Sequence, residues 1–206
     1  MKQIKNTIFI YGLCLLAGLF ITSCAPSLGS TMNVGDVSKI DFEPVNLFEQ
    51  DQVKLTVLQF ADNRSIEAIA QIDGRLVKPE GDIAFAAQKI FESMARKSGI
   101  KLSLFNAPSI RGTIVEWRVK VIPSFPASSL EAMASITIEL LDRESNVVHK
   151  STYSGNFEEK NPFLSDSKIQ ASLGKAMSYA IGEVFKDNLF VSRLNTAANF
   201  TSQANY

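Results

Sequence analysis

Few side chains in this chain have the type and spacing to do chemistry. The single histidine, His149, lies between Val148 and Lys150 in an alternating stretch, and no second histidine is available to make a metal pair. It reads as a surface or cross-strand residue rather than a base. Glu158, Glu159 and Asp166 could be drawn as paired carboxylates for general acid–base work, yet loop solvation accounts for them as well. Asp62 and Arg64, two positions apart, suit an Asx-type turn closed by a local ion pair better than a ligand site. No nucleophile elbow, phosphate loop or metal-ligand spacing occurs. The expectation is a protein that is not an enzyme and uses neither cofactor nor metal.

Covalent chemistry is legible at one place only. Lys2 and Lys5 precede an uncharged apolar run over residues 8–21, which ends in the small residues Thr22 and Ser23 before Cys24. Fourteen residues are too few for a membrane-spanning helix, which needs roughly 20. The run has the makeup of an export signal. The tetrapeptide Ile21-Thr22-Ser23-Cys24 resembles the lipobox of bacterial lipoproteins. The resemblance implies diacylglycerol attached to Cys24 through a thioether, cleavage between Ser23 and Cys24, and acylation of the new amino group, for example by palmitate. Ala25 rather than Asp follows the cysteine. By the same resemblance this favours the outer membrane, facing the periplasm, or the cell membrane if the source has only one.

If Cys24 is alkylated and Cys14 leaves with the signal, the mature chain has no disulfide and no cysteine metal site. Its fold must then stand on an apolar core, for which 46% hydrophobic content in 206 residues suffices for one domain. Twenty-one basic and 21 acidic residues cancel, so no cationic face for nucleic acid is implied. The expected partners are the membrane, through the anchor, and an envelope protein.

The elements that must position any site follow from periodicity. Residues 1–23 are the signal and 24–52 a flexible tether, with Ile40, Phe42, Val45, Leu47 and Phe48 able to dock on the domain. The domain spans 53–190 and should fold without the tether; residues 191–206 read as a polar, frayed tail. A strand over 53–60 is followed by a polar loop to Gly81. Asp82 caps a helix over 83–98, whose Ile83, Ala87, Ile90, Phe91 and Met94 form a stripe, with Gly99 as its stop. Strands over 100–105, 109–122, 130–142 and 147–157 succeed one another without a helix, which predicts antiparallel hairpins. In them Thr113, Val115, Trp117, Val119 and Val121 share a face, as do Ala134, Ile136, Ile138 and Leu140. Ser165 caps a second helix over 166–187, stapled by Leu164 and Ile169. The fold class is α+β, a two-layer sandwich of a mostly antiparallel sheet of about four or five strands with two helices on one face.

This order on an acylated chain resembles the YajG family of envelope lipoproteins over about residues 53–190, most specifically at Val57-Leu58-Gln59-Phe60-Ala61-Asp62-Asn63-Arg64. The resemblance implies no catalytic activity. Two surfaces stand out as partner sites. Phe125 sits between Pro123 and Pro126 in a loop joining two long strands, and Phe163 brings apolar bulk to the loop before the second helix. Gly174, Ser178 and Gly182 form a small-residue ridge that invites close approach of another element. The functional expectation is a non-catalytic binding or assembly accessory of an envelope complex; the alternative is a lipid- or glycan-binding module with a cavity between sheet and helices.

Overall fold

The strongest alternation in the chain becomes the spine of the fold, in a computed structural model that describes residues 31–34 and 53–199. In chain order the elements are β1 (Thr31–Asn33), β2 (Val53–Val57), β3 (Ala61–Asp62), β4 (Ala70–Ile72), β5 (Arg75–Glu80), α1 (Ile83–Lys97), β6 (Ile100–Leu102), β7 (Ser109–Ile122), β8 (Ser128–Leu141), β9 (Val147–Asn161), α2 (Asp166–Lys186) and α3 (Asn188–Asn199). The signal, Cys24, the rest of the tether and residues 200–206 lie outside the described residues.

Strands β7, β8 and β9 form the expected antiparallel meander, in register from Ser109 opposite Leu141 to Ser128 opposite Asn161. The other edge of β7 is where expectation and structure part. Three short segments pair with it in succession, all parallel: β2 at Ser109–Ile110, β3 at Thr113–Ile114, and β4 at Val119–Lys120. The stretch read as a polar loop up to Gly81 is thus one interrupted strand, followed by β5 returning antiparallel on β4 through a turn at Asp73 and Gly74. Two- and three-residue strands carry no period of their own, and the long open edge of β7 supplies their hydrogen bonds. β6 lies parallel to β2 across the α1 crossover, not in a hairpin. The fold remains α+β, but its sheet is mixed and open, with nine strands and three helices among the described residues.

Two further corrections concern the ends. Thr31–Asn33 of the expected tether lies parallel to β5, with Met32 and Val34 buried. The expected frayed tail continues as α3, whose Phe190, Leu194 and Ala197 are buried. Its apolar positions recur every three or four residues, which lets one face close the core despite low overall hydropathy.

A bulge between Ile114 and Glu116 also changes the face of β7. Ile110, Gly112 and Ile114 face the core before it, and Trp117, Val119 and Val121 after it, while Val115 is exposed. The extra residue moves the first half of the strand by one position relative to strict alternation. On β8 the expected face holds, from Leu130 to Leu140.

Helices α1 and α2 begin where their caps put them. Asp82 Oδ1 accepts from the Phe85 N–H at 3.0 Å, and Ser165 Oγ accepts from the Lys168 N–H at 3.4 Å. Between helices and sheet, Leu55, Phe91, Trp117, Phe185 and Phe190 fill the interior. Phe91 and Phe185 meet with centroids 5.4 Å apart, and Phe185 meets Phe190 edge-on at 6.2 Å. The small-residue ridge of α2 is partly used: Gly174 and Ser178 are buried, and Gly182 faces Met94 of α1. The tightest approach is made by Gly155 of β9, where a Cβ would overlap the Ala176 carbonyl and the Ala180 amide of α2.

Candidate functional site

The two aromatic loops singled out by sequence lie at one end of the sheet. Ser128, which starts β8, pairs with Asn161, which ends β9, so loops 123–127 and 162–165 leave the sheet side by side. Phe125 is 100% exposed and Phe163 81% exposed. Pro123 and Pro126 flank Phe125 on the surface, the Phe125–Pro126 bond is cis, and the Ser124 hydroxyl donates to the Ala127 carbonyl across the tip. The second loop is held at its base. Asn161 is buried and accepts from the Phe163 N–H at 3.1 Å, while Leu164 packs on the core as its staple position requires. Both rings therefore project from anchored backbone.

His149 is not a surface residue. It is buried on the helix-facing side of β9, and its Nε2 lies 2.9 Å from the Tyr153 hydroxyl, which donates to Asp187 Oδ2 at 2.7 Å. Asp187 Oδ1 in turn accepts from the Leu189 and Phe190 N–H groups, which makes it the cap of α3. Burial, then the neighbouring Asp187 carboxylate, pushes the Tyr153 hydroxyl above its ordinary value. The Tyr153 hydrogen bond holds Asp187 below its own, against the opposing effect of burial. A tyrosine so hard to ionise is a poor nucleophile or base, and the cluster's polar atoms are spent on fastening α3 to β9. The sequence could not show this, because the acid arrives from beyond the second helix.

Asp62 and Arg64 form the expected turn and something more. Arg64 donates from its own N–H and from Nε to Asp62 Oδ1, and from Nη2 to Oδ2, at 2.9–3.2 Å. Its remaining nitrogen, Nη1, donates to the Trp117 carbonyl at 3.3 Å. Trp117 lies on β7 between the stretches paired with β3 and β4, so the guanidinium stands in for a missing strand partner. Glu158 and Glu159 lie on β9 and Asp166 begins α2; Glu159 faces Lys168 at 3.8 Å.

Two other surfaces could bind a partner. Among the described residues β9 pairs with β8 alone, which leaves a 15-residue strand with an open edge. At the opposite end from the aromatic loops, a cleft of about 490 Å³ opens between the β8–β9 turn and α3, lined by Asp142, Arg143, Glu144, Val148, Arg193 and Thr196. Asp142 is engaged there in closing the turn, accepting from Glu144 and Asn146. Among the described residues no helix is long and apolar enough to cross a membrane, and no group of three acidic, histidine or cysteine side chains is placed to hold a metal ion.

Comparison with known proteins bears on the family and the fold. A family model described as uncharacterized lipoprotein matches residues 47–194. No curated protein matches the chain. A crystal structure of a protein from Xanthomonas campestris is similar with a TM-score of 0.57 at 12% identity, over 82% of this chain and 99% of that one. A minor lipoprotein from Acinetobacter baumannii gives a TM-score of 0.40 at 10% identity, over 66% of this chain and 91% of its own. A lipoprotein from Neisseria meningitidis gives 0.33 at 10%, over 57% and 90%. The Xanthomonas likeness speaks to the fold alone.

Proposed function

We propose, from the premise that the chain belongs to the uncharacterised lipoprotein family whose model spans residues 47–194, that it is a non-catalytic accessory of a cell-envelope protein complex, anchored by lipid on Cys24. The finer kinship with YajG-type lipoproteins draws on the Asp62-x-Arg64 turn, and an outer-membrane, periplasm-facing position draws on Ala25 after the cysteine. The non-catalytic reading is supported by the employment of the few reactive side chains: His149 and Tyr153 fasten a helix, and Arg64 completes the sheet.

The observation that carries the binding role is the edge of β9, which no other strand among the described residues covers. An extended segment of a partner can add to such an edge by main-chain hydrogen bonds, with side chains on either face setting specificity. Lys150, Glu158 and Lys160 along it discourage indiscriminate pairing. A photo-crosslinking side chain at the exposed Asn156 should yield one discrete envelope-protein adduct in cells, and the same group at Arg111, on β7, should yield none. Equal or absent adducts at both positions overturn the edge reading. Loss of palmitate labelling and of membrane retention in Cys24→Ser tests the anchor separately.

The lipid- or glycan-binding alternative, which called for a cavity between sheet and helices, is supported among the described residues by the cleft beside α3. Acyl chains or glycans recovered with the purified protein would favour it.

A further inference from the structure

A phenylalanine exposed at an anchored loop is unfavourable unless something covers it; Phe125, fully exposed, and Phe163, 81% exposed, stand together at one end of this sheet. Leu104 and Phe105 are exposed in the loop that precedes β7 at the other, so exposure by itself does not choose the end. The path of the chain says which surface is near. β4 runs with β7 toward loop 123–127, β5 runs back from it, and β1 is parallel to β5. The polypeptide therefore enters β1 from the aromatic end. Gln170, early in α2, donates to the Asn33 carbonyl at 2.9 Å, so β1 lies beside the helix that starts just after Phe163.

Distance then discriminates between the two ends of the molecule. Cys24 precedes Thr31 by seven positions, a reach of at most about 25 Å. Thr31 pairs with Lys78, which through β4 stands level with Arg118 of β7. From that level the end of β7 at Ile122 is about 13 Å away, whereas its start at Ser109 is about 30 Å away, with the β8–β9 turn beyond. A bilayer holding Cys24 is within reach of the aromatic end and out of reach of the hairpin end.

We infer that loops 123–127 and 162–165 form a membrane-inserting tip, in which Phe125 and Phe163 enter the interfacial layer of the bilayer that holds Cys24. The inference rests on the lipid anchor proposed above. The anchor alone leaves the domain free to tumble; two inserted rings fix its axis and point the β9 hairpin end and the charged cleft away from the membrane. Pro123 and Pro126 restrict the loop, so little conformational freedom is lost on insertion. The charges at this end are mixed, Lys168 facing Glu159, so attraction to anionic lipid is not what drives it.

The test uses the full acylated protein carrying Phe125→Trp in phosphatidylcholine vesicles whose chains are brominated near the headgroup. Trp117, buried and hydrogen-bonded to Leu173, serves as internal reference for folding. The introduced indole should lose most of its emission on vesicle binding, Trp117 should not, and the added Phe163→Ser should weaken the quenching several-fold. If the protein floats with the vesicles and carries its acyl label but the indole at position 125 stays open to aqueous iodide, the tip does not insert. If that indole becomes shielded only when detergent-solubilised envelope proteins are added, the tip contacts a protein and the membrane reading is overturned. If the wild type neither floats nor carries acyl groups, the anchor reading fails, and this inference with it.

Discussion

Trp117 donates its indole Nε1–H to the carbonyl oxygen of Leu173 at 2.9 Å, joining the centre of the sheet to the middle of the helix that covers it. The same residue offers its own carbonyl to Arg64 at the edge of β7, in the gap between β3 and β4. Replacement by phenylalanine keeps most of the apolar contact but removes the donor and part of the volume. Trp117→Phe should destabilise the fold by about 1–3 kcal/mol, read as a lowered urea midpoint with unchanged slope.

Gly155 is the position where the smallest change should do the most. A methyl group there would occupy the place of α2 backbone atoms at Ala176 and Ala180, and helix backbone cannot swing aside as a side-chain end can. Gly155→Ala is expected to cost about 3 kcal/mol or more, against well under that for an exposed strand substitution such as Asn156→Ala. Thermal unfolding of the two variants side by side checks it.

The Tyr153–Asp187 pair predicts losses of stability at both extremes of pH. Asp187 is held below its ordinary 3.8 chiefly by the Tyr153 hydroxyl, so its contribution is present above that value and is lost as pH falls through its lowered folded value. Tyr153 is held above its ordinary 10.0 chiefly by burial, so its contribution is present below 10.0 and is lost as pH rises beyond it. Tyr153→Phe should flatten the alkaline limb and reduce the acid one, measured as urea midpoints across both ranges.

Truncation should expose the two segments that join the core from outside the expected domain. A fragment of residues 53–193 lacks Met32 and Val34, which are buried beside β5, and Leu194 and Ala197, which close α3. It should be less stable than the chain beginning at Cys24 by on the order of 5 kcal/mol, at about 1.5–3 kcal/mol for each large aliphatic side chain returned to water. Circular dichroism during urea unfolding would show a fragment of undiminished stability if these contacts were unimportant.

What the sequence determined by itself was carried by its longer periods and clearest caps; α3, with a stripe and the Asp187 cap, still reads as a tail because its composition is polar. The stripe from Ile83 to Met94, the alternation along β8 and the oxygens of Asp82 and Ser165 encode their elements locally, and those elements lie where periodicity put them. The positions of Phe125 and Phe163 in loops were legible for the same reason. Tertiary structure decided the rest, because the signals involved are not local. β3 has two residues and β1 three, and such strands exist only because long neighbours offer unpaired backbone groups. The bulge at Val115 arises from pairing with β8 and overrides strict alternation. His149 becomes buried through an aspartate 38 residues onward, brought to it by the return of α2. The gathering of Phe125, Phe163 and the entry to β1 at one end follows from strand register and from the parallel sense of β1 and β5, which hydrogen bonds between distant segments set and no run of adjacent residues encodes.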